Sequence, residues 1–361
     1  MVNQKQLLIL IIVASSLTSF LGGYLLTQKP SQSSAILSQQ RGALIDRFDG
    51  VTGNSTPTPL PPGLLRASSD ISLSPINSRE DNTVLYYHPD NGFVSKIDLE
   101  TRRSTLISTT QLSGTADVIW SPNRNRVITL SRNSNGITYK YFDYTTREHG
   151  TLSSNTKSVA FSPDSGSLVS VKSQNNETLI QTSDFNGRNP KTILKTRLDN
   201  IEVAWPNIDT ISFTANDANE SSRSLYTLSA VGDLSQLLSG EDDLDVKWSP
   251  DGSKFIYSSQ TTGGVALRIF VVASKESWTL EPQTSSNNCA WPSIQSSIVC
   301  AVQQEGETSI IQIPLSSRVP KILFSNLIIT PKEAFLSQLE NFLVIINAQD
   351  QSIWAVKLLA N

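Results

Sequence analysis

Side chains that commonly carry chemistry are few in this chain of 361 residues. The two histidines, His88 and His149, lie in or beside turns of different segments. Neither a Gly-x-Ser-x-Gly nucleophile elbow nor a Gly-x-x-x-x-Gly-Lys phosphate loop occurs in the sequence. We therefore predict no catalytic residues, no cofactor and no cofactor-binding residues.

Charged residues offer two further candidates. The acidic run at 241–245 could bind calcium at a loop rim, but such clusters are more often solvated loops, so we predict no metal site. Lys247 and Glu333 depart from the small residues at neighbouring positions, Ala160 among them. These two side chains either line a pore or reach solvent.

The chain contains two cysteines, Cys289 and Cys300. Their midpoint falls in a predicted turn, so an antiparallel hairpin centred there places them opposite each other. A cross-strand disulfide is then geometrically feasible if the Cα atoms are close. Two reduced, buried thiols are the alternative. A zinc site needs four ligands, and these two thiols supply only two of them.

A hairpin unit recurs along the chain, and any functional site must be built on these hairpins. In the clearest copies a strand leads into Phe-Ser-Pro-Asp at 161–164 or Trp-Ser-Pro-Asp at 248–251, and a second strand follows. The residue before the turn recurs at spacings of 47, 41, 44, 43, 43 and 44 residues. These seven structural repeat anchors are Leu73, Trp120, Phe161, Trp205, Trp248, Trp291 and Phe335.

A period of roughly 40 to 50 residues with strand-type patterning is typical of β-propeller blades. We predict an all-β fold, a seven-bladed β-propeller with four-stranded antiparallel blades. A β-sandwich is the alternative, but sandwiches show turn signals without a fixed long period. The last repeat lacks a fourth strand, so residues near 64 to 68 are predicted to close the ring as its outer strand.

The repeated Trp/Phe-Ser-Pro-Asp-Gly turn resembles the TolB-type propeller repeat, a relative of the WD-repeat. The match is close from Phe161 to Gly166 and from Trp248 to Gly252. It is weaker in the repeat of Trp205, where the Ser that follows the aromatic residue is lost. It covers roughly residues 64 to 361 as architecture. The resemblance implies a structural turn, an extracytoplasmic location and protein partners. It carries over no functional residue.

The N-terminal part differs in composition from the repeats. Residues 7–26, from Leu7 to Leu26, contain no charge and are long enough to span a bilayer. We interpret them as an uncleaved signal-anchor, although a cleaved signal peptide would also begin with an apolar run. The predicted organisation is a cytoplasmic stub with a transmembrane helix at 1–28, a Ser/Pro-rich linker at 29–63, and the propeller at 64–361.

Charge and repeats together limit the function classes. With 29 Lys and Arg against 32 Asp and Glu, the chain lacks the basic surplus of a nucleic-acid binder. We predict a monomeric, single-pass membrane protein, mostly extracytoplasmic, that is not an enzyme and binds a protein or cell-envelope partner. The alternative is a hydrolase or sugar-acting enzyme with a site in the central channel. Three or more converging carboxylates, His or Arg groups at the channel mouth would favour that enzyme.

Overall fold

A computed structural model describes residues 63–358, except residues 113, 135, 218–221 and 230. The described part consists of antiparallel β-strands with a short 3-10 helix at Ser286–Asn288, so the all-β prediction is confirmed. The strands are, in chain order, β1 Leu64–Arg66, β2 Leu73–Asn77, β3 Thr83–Tyr87, β4 Val94–Asp98, β5 Ser104–Ser108, β6 Asp117–Trp120, β7 Arg126–Asn133, β8 Gly136–Asp143, β9 His149–Thr151, β10 Thr156–Phe161, β11 Ser167–Gln174, β12 Glu177–Asp184, β13 Lys191–Thr196, β14 Glu202–Asn207, β15 Thr210–Asn216, β16 Ser222–Ser229, β17 Leu234–Trp248, β18 Lys254–Thr261, β19 Gly264–Val271, β20 Glu276–Thr279, β21 Cys289–Ala290, β22 Ser297–Gln304, β23 Glu307–Pro314, β24 Lys321–Leu327, β25 Pro331–Leu336, β26 Phe342–Asn347 and β27 Ile353–Lys357.

Within the described residues these strands form five four-stranded sheets and one seven-stranded sheet. Four of the four-stranded sheets use consecutive strands, namely β2 to β5, β6 to β9, β10 to β13 and β21 to β24. The seven-stranded sheet runs from β14 to β20. Its long strand β17 pairs with β16 through its first half and with β18 through its second half. One strand therefore ends one hairpin repeat and begins the next.

The remaining sheet joins the two ends of the repeat region. Strands β25, β26 and β27 are completed by β1, and Leu64 pairs with Val356 while Arg66 pairs with Trp354. Because β1 comes from the beginning of the region, it covers an edge that would otherwise be open. The predicted closing strand is confirmed.

The Ser-Pro-Asp turns are held by the same hydrogen bonds in each clear copy. In the hairpin of β10 and β11, the Ser162 hydroxyl donates to the Asp164 carboxylate at 2.5 Å and accepts the amide of Ser167 at 2.9 Å. The Ser162 amide donates to the Ser167 carbonyl at 2.9 Å. The buried hydroxyl thus satisfies the backbone inside the turn, which explains why Ser and Asp recur there.

These hydrogen bonds correct two of the predicted anchors. The amide of Ser78 donates to Thr83, and that of Ser337 donates to Phe342, as the amide of Ser162 does in its own turn. The residues that precede these turns are therefore Asn77 and Leu336, not Leu73 and Phe335. Leu73 was misassigned because the only Ser-Pro pair of this repeat, Ser74-Pro75, lies at a bulge inside β2 and not in the turn at Ser78. Phe335 lies one residue too early.

Hydrophobic clusters lie between neighbouring sheets. Val84 of β3 packs in one cluster with Val344 of β26, and Tyr87 of β3 packs in another with Val127 of β7. Comparable clusters connect every following sheet to the next, including the two halves of the seven-stranded sheet. Since the last sheet also shares a cluster with the first, the sheets close into a ring.

The predicted membrane anchor at Leu7 to Leu26 and the linker lie outside the described residues. Among the residues that the structure does describe, no helix has the length and apolar character needed to cross a bilayer.

Candidate functional site

The first strands of the repeats surround a central channel. Contacts join β2 to β6 and to β25, β10 to β14, and β21 to β25. Each first strand is followed by the same type of hairpin, so all of them run in the same direction. Side chains near the strand starts consequently lie at one mouth of the channel, and the residues before the turns lie at the other.

Polar side chains form a ring at the strand starts. They occupy the position three residues before each anchor, with the two corrections above. Two neighbouring members touch, because the Ser74 hydroxyl donates to the Asp117 carboxylate at 2.6 Å. The Ser158 hydroxyl accepts the amide of Val203, the residue after the member Glu202, at 3.1 Å. The members of this ring are Ser74, Asp117, Ser158, Glu202, Asp245, Asn288 and Glu333.

Two cavities open at this end of the channel and share part of their lining. One, of about 600 Å³, brings Asp117 and Glu202 together. The other, of about 520 Å³, brings Asp117 and Glu333 together. Arg132 lines both cavities. We call the following group the charged mouth: Asp117, Arg132, Lys157, Glu202, Asp245, Lys332 and Glu333.

The charges of several of these groups act on one another. Burial raises the pKa of Asp245, and the charge of Glu202 raises it further. Burial also raises the pKa of Glu333, while Lys247 and Lys332 oppose this rise and the charge of Asp117 adds to it. Carboxylates from several first strands therefore affect one another across the mouth. By the criterion derived from the sequence, such convergence favours an enzyme.

Lys247 lies deeper in the channel. Its Nζ donates to the carbonyl oxygens of Cys289 at 2.7 Å and Ala334 at 2.9 Å, so it connects β17 to β21 and β25. Burial lowers its pKa to about 8, and the charge of Glu333 opposes this shift. An amine with this pKa is partly neutral near physiological pH, which suits proton transfer.

From the sequence we singled out Lys247, Glu333 and the acidic run that contains Asp245, but we missed Asp117 and Glu202. The signal was the polar column three residues before each anchor. With Phe335 as the last anchor, Glu333 fell outside that column and the pattern was interrupted. With Leu336 in its place, Asp117, Glu202, Asp245 and Glu333 share one position.

Of the remaining sequence candidates, Asp245 of the acidic run belongs to the charged mouth, and the two histidines lie away from it. His88 Nε2 lies 2.7 Å from the Ser95 hydroxyl, whereas His149 begins β9, the outer strand of a different sheet. The acidic run at 241–245 belongs to the strand β17 and not to a loop, and Glu241 pairs with Arg268 at 3.1 Å. Within the described ranges, no group of three or more His, Cys, Asp or Glu side chains could hold a metal ion.

Cys289 and Cys300 form a disulfide in the structure. They are paired across β21 and β22 with a Cα–Cα distance of 4.0 Å. Because the bond is next to the carbonyl group that accepts from Lys247, it fixes one wall of the channel.

Solved structures place the fold among β-propellers. The chain is similar to the oligogalacturonate lyase of Vibrio parahaemolyticus, with 11% identity, coverage of 81% of this chain and 93% of that chain, and a TM-score of 0.60. It is also similar to the β-propeller domain of the trilobed protease from Pyrococcus furiosus, with 11% identity, coverage of 80% and 96%, and a TM-score of 0.54. Similarity at these identities shows the β-propeller fold alone.

TolB from Acinetobacter baumannii matches at 16% identity over 71% of this chain and 63% of that chain, with a TM-score of 0.46. We therefore take the resemblance to TolB no further than the propeller architecture. No protein-family model matches the chain. No curated protein matches it either.

The prediction that the chain is not an enzyme is wrong. It rested on the absence of a nucleophile elbow and of a convergent set of catalytic side chains in the sequence. The region that aligns with this propeller covers 93% of the Vibrio parahaemolyticus lyase. An enzyme of this fold consequently needs no separate catalytic domain, and its site can be built from the propeller itself.

Proposed function

We propose that this chain is a seven-bladed β-propeller, held outside the membrane by the segment from Leu7 to Leu26, whose charged mouth acts on a polyhydroxylated, sugar-like substrate. The blade count follows from dividing the seven-stranded sheet at β17, which serves two blades. Each of the other sheets then supplies one blade of four strands.

The observation that carries the proposal is that Asp117, Glu202 and Glu333 line two adjoining cavities together with the basic side chain of Arg132. Carboxylates accept hydrogen bonds from hydroxyl groups, and a guanidinium donates to them, so a hydroxyl-rich ligand can be held from several blades at once. The first strands are rigid elements, which favours precise positioning of such groups.

We assign different roles to the two carboxylates that line one cavity, Glu333 and Asp117. The raised pKa of Glu333 makes its acid form available closer to neutral pH, so we assign Glu333 as the proton donor. The partner carboxylate is Asp117, whose charge contributes to that rise. Paired carboxylates with unequal environments are the usual means of acid–base work on glycosidic bonds.

The test is turnover of a panel of oligosaccharides that includes oligogalacturonate, with new chain ends as the readout. Glu333→Gln should lower the rate by about 100-fold or more, since general acid catalysis typically contributes that much. Glu276→Gln is the matched control, because Glu276 is exposed on the outer strand β20. Equal rates for Glu333→Gln and the unchanged protein would contradict the assignment, as would a panel with no turnover.

A second candidate is a binding or scaffold module for a protein or envelope partner. The exposure of the mouth favours it: the Glu202 side chain is 63% exposed although it pairs with Arg223 at 3.2 Å. Such groups steer charged partners and give salt-dependent association. This candidate would be favoured over the enzyme if Asp117→Asn abolished binding of the partner while Glu276→Gln retained it, and if no oligosaccharide were turned over.

The anchor is tested separately. Protease added outside intact cells should release a compact fragment that begins near the Pro-rich run at 56–62. A fragment protected until the membrane is opened would reverse the proposed orientation.

A further inference from the structure

The opposite mouth of the channel differs from the charged mouth in its lining. A cavity of about 460 Å³ opens there, and its aromatic side chains are the partly exposed Trp248, Trp291 and Phe335. We call it the aromatic cavity. Its volume falls within the range of roughly 300 to 1,000 Å³ that is common for small-ligand sites.

Polar groups complete the lining of the aromatic cavity. The exposed Gln338 amide and the Ser293 hydroxyl have no side-chain partner among the described residues. Glu340 is partly fixed, because its Oε1 accepts the Ser293 amide at 2.5 Å. The cavity therefore combines ring faces with unused donors and acceptors at its rim.

Lys247 closes the inner end of the aromatic cavity. Two of its three donors are used on the carbonyl groups of Cys289 and Ala334, which leaves one donor for a ligand. Its charge also limits the ligand class. An aromatic cage can bind a quaternary ammonium group through its ring faces, but a cation held beside Lys247 would be repelled.

We propose that the aromatic cavity is a second binding site of this propeller and takes a saccharide unit. A sugar ring presents C–H faces that pack on aromatic rings, and hydroxyl groups that need both donors and acceptors. Trp248 and Trp291 come from successive blades, and Gln338 and Glu340 come from the blade after them. A bound ring would thus be contacted by three blades, while chemistry is confined to the charged mouth.

The test is binding of four disaccharides, cellobiose, maltose, diacetylchitobiose and digalacturonate, to the full-length chain. Titration calorimetry and tryptophan fluorescence are the readouts. Gln338→Ala should weaken the binding of whichever disaccharide binds by about fivefold, the loss of roughly one hydrogen bond. Trp248→Phe should also weaken it, since the smaller ring offers less surface. Trp278→Phe is the matched control, because Trp278 lies on β20, outside the cavity lining.

Three outcomes would overturn the proposal: no disaccharide binds at millimolar concentration, binding is unaffected by both cavity variants, or tetramethylammonium binds there instead. Asp117→Asn separates this inference from the proposed enzyme, because Asp117 lines the charged mouth and not the aromatic cavity. It should lower turnover and leave binding to the aromatic cavity unchanged, so the two proposals can fail independently.

Discussion

The blades use the same anchor position in two ways. In the sheets β6 to β9 and β10 to β13, Trp120 and Phe161 are buried, with 8% and 6% exposure. In the blades that contain β18 and β22, Trp248 and Trp291 line an open cavity. The repeat therefore determines the position of the anchor residue but not whether its side chain is buried.

The residue four positions after the anchor explains part of this difference. After Trp120 it is Arg124, whose guanidinium donates to the carbonyl oxygen of Asn77 at 2.8 Å and covers the boundary between two blades. After Trp248 it is Gly252, where an added Cβ would lie 2.3 Å from the Asn207 amide nitrogen. Both residues have a positive φ, 65° and 69°, so the backbone is the same and only the side chain differs. Arg124 thus covers its blade boundary with a side chain that Gly252 does not have.

The largest effect is expected from removing a sealed anchor. Trp120→Ala deletes a buried indole whose Nε1 donates to the Ser74 carbonyl at 3.0 Å, and should lower the free energy of unfolding by about 3 to 5 kcal/mol. Trp248→Ala should cost clearly less, because that ring is partly exposed. Urea midpoints measure both variants. Equal losses would mean that the two kinds of boundary are energetically alike.

The disulfide comes next. The first strand β21 has two residues, whereas β10 has six, so the blade with Trp291 has little backbone pairing around its anchor. Cys289 and Cys300 are separated by 11 positions, and loss of a crosslink over such a loop costs about 3 kcal/mol in the chain-entropy account.

Replacing both cysteines by Ala should therefore lower the unfolding midpoint. The check is that reductant lowers the midpoint of the unchanged protein but not that of the double variant. If reductant affects both equally, the stabilisation does not come from this bond.

Arg124→Gly tests the sealed boundary directly. The positive φ favours Gly at this position, so the backbone is not strained. Loss of the guanidinium leaves the Asn77 carbonyl oxygen without its donor and should cost about 1 to 3 kcal/mol. Trp120 should also become more accessible to iodide quenching. If iodide quenched the variant no more than the unchanged protein, Arg124 would not cover the indole of Trp120.

The fold was readable from the sequence because the turn chemistry is local. A buried Ser hydroxyl and an Asp carboxylate satisfy the same amides in each clear copy, so the period survives where other positions vary. The ends of the series were misassigned for a local reason as well. After Leu73 the Ser-Pro pair lies at a bulge and not in the turn, and after Phe335 the turn has lost its Pro.

The charged mouth was harder to predict because it is built by ring closure. Asp117 and Glu333 are far apart in the sequence and meet only when the last blade packs against the first. Their common position three residues before an anchor was visible, but only with the correct anchor. The aromatic cavity was missed for a different reason: aromatic anchors in a repeat are expected to be core, and exposure depends on neighbouring turns.

The smallest expected effect concerns Lys247, which lies between the two mouths. Its pKa is about 8 in the folded chain and near 10.5 when unfolded, so between these values the unfolded state binds more protons. Stability contributed by this site should therefore be lost as the pH falls through 8 and regained as the pH rises towards 10.5. Allowing for solvent in the channel, we expect a gain of about 1 kcal/mol from pH 8 to pH 9.5, relative to Lys247→Met. Lys195→Met, on the exposed strand β13, is the control and should show no such difference. A pH profile that is the same for Lys247→Met and the unchanged protein would mean that Lys247 is well hydrated, and the channel would then be a continuous water path and not two separated sites.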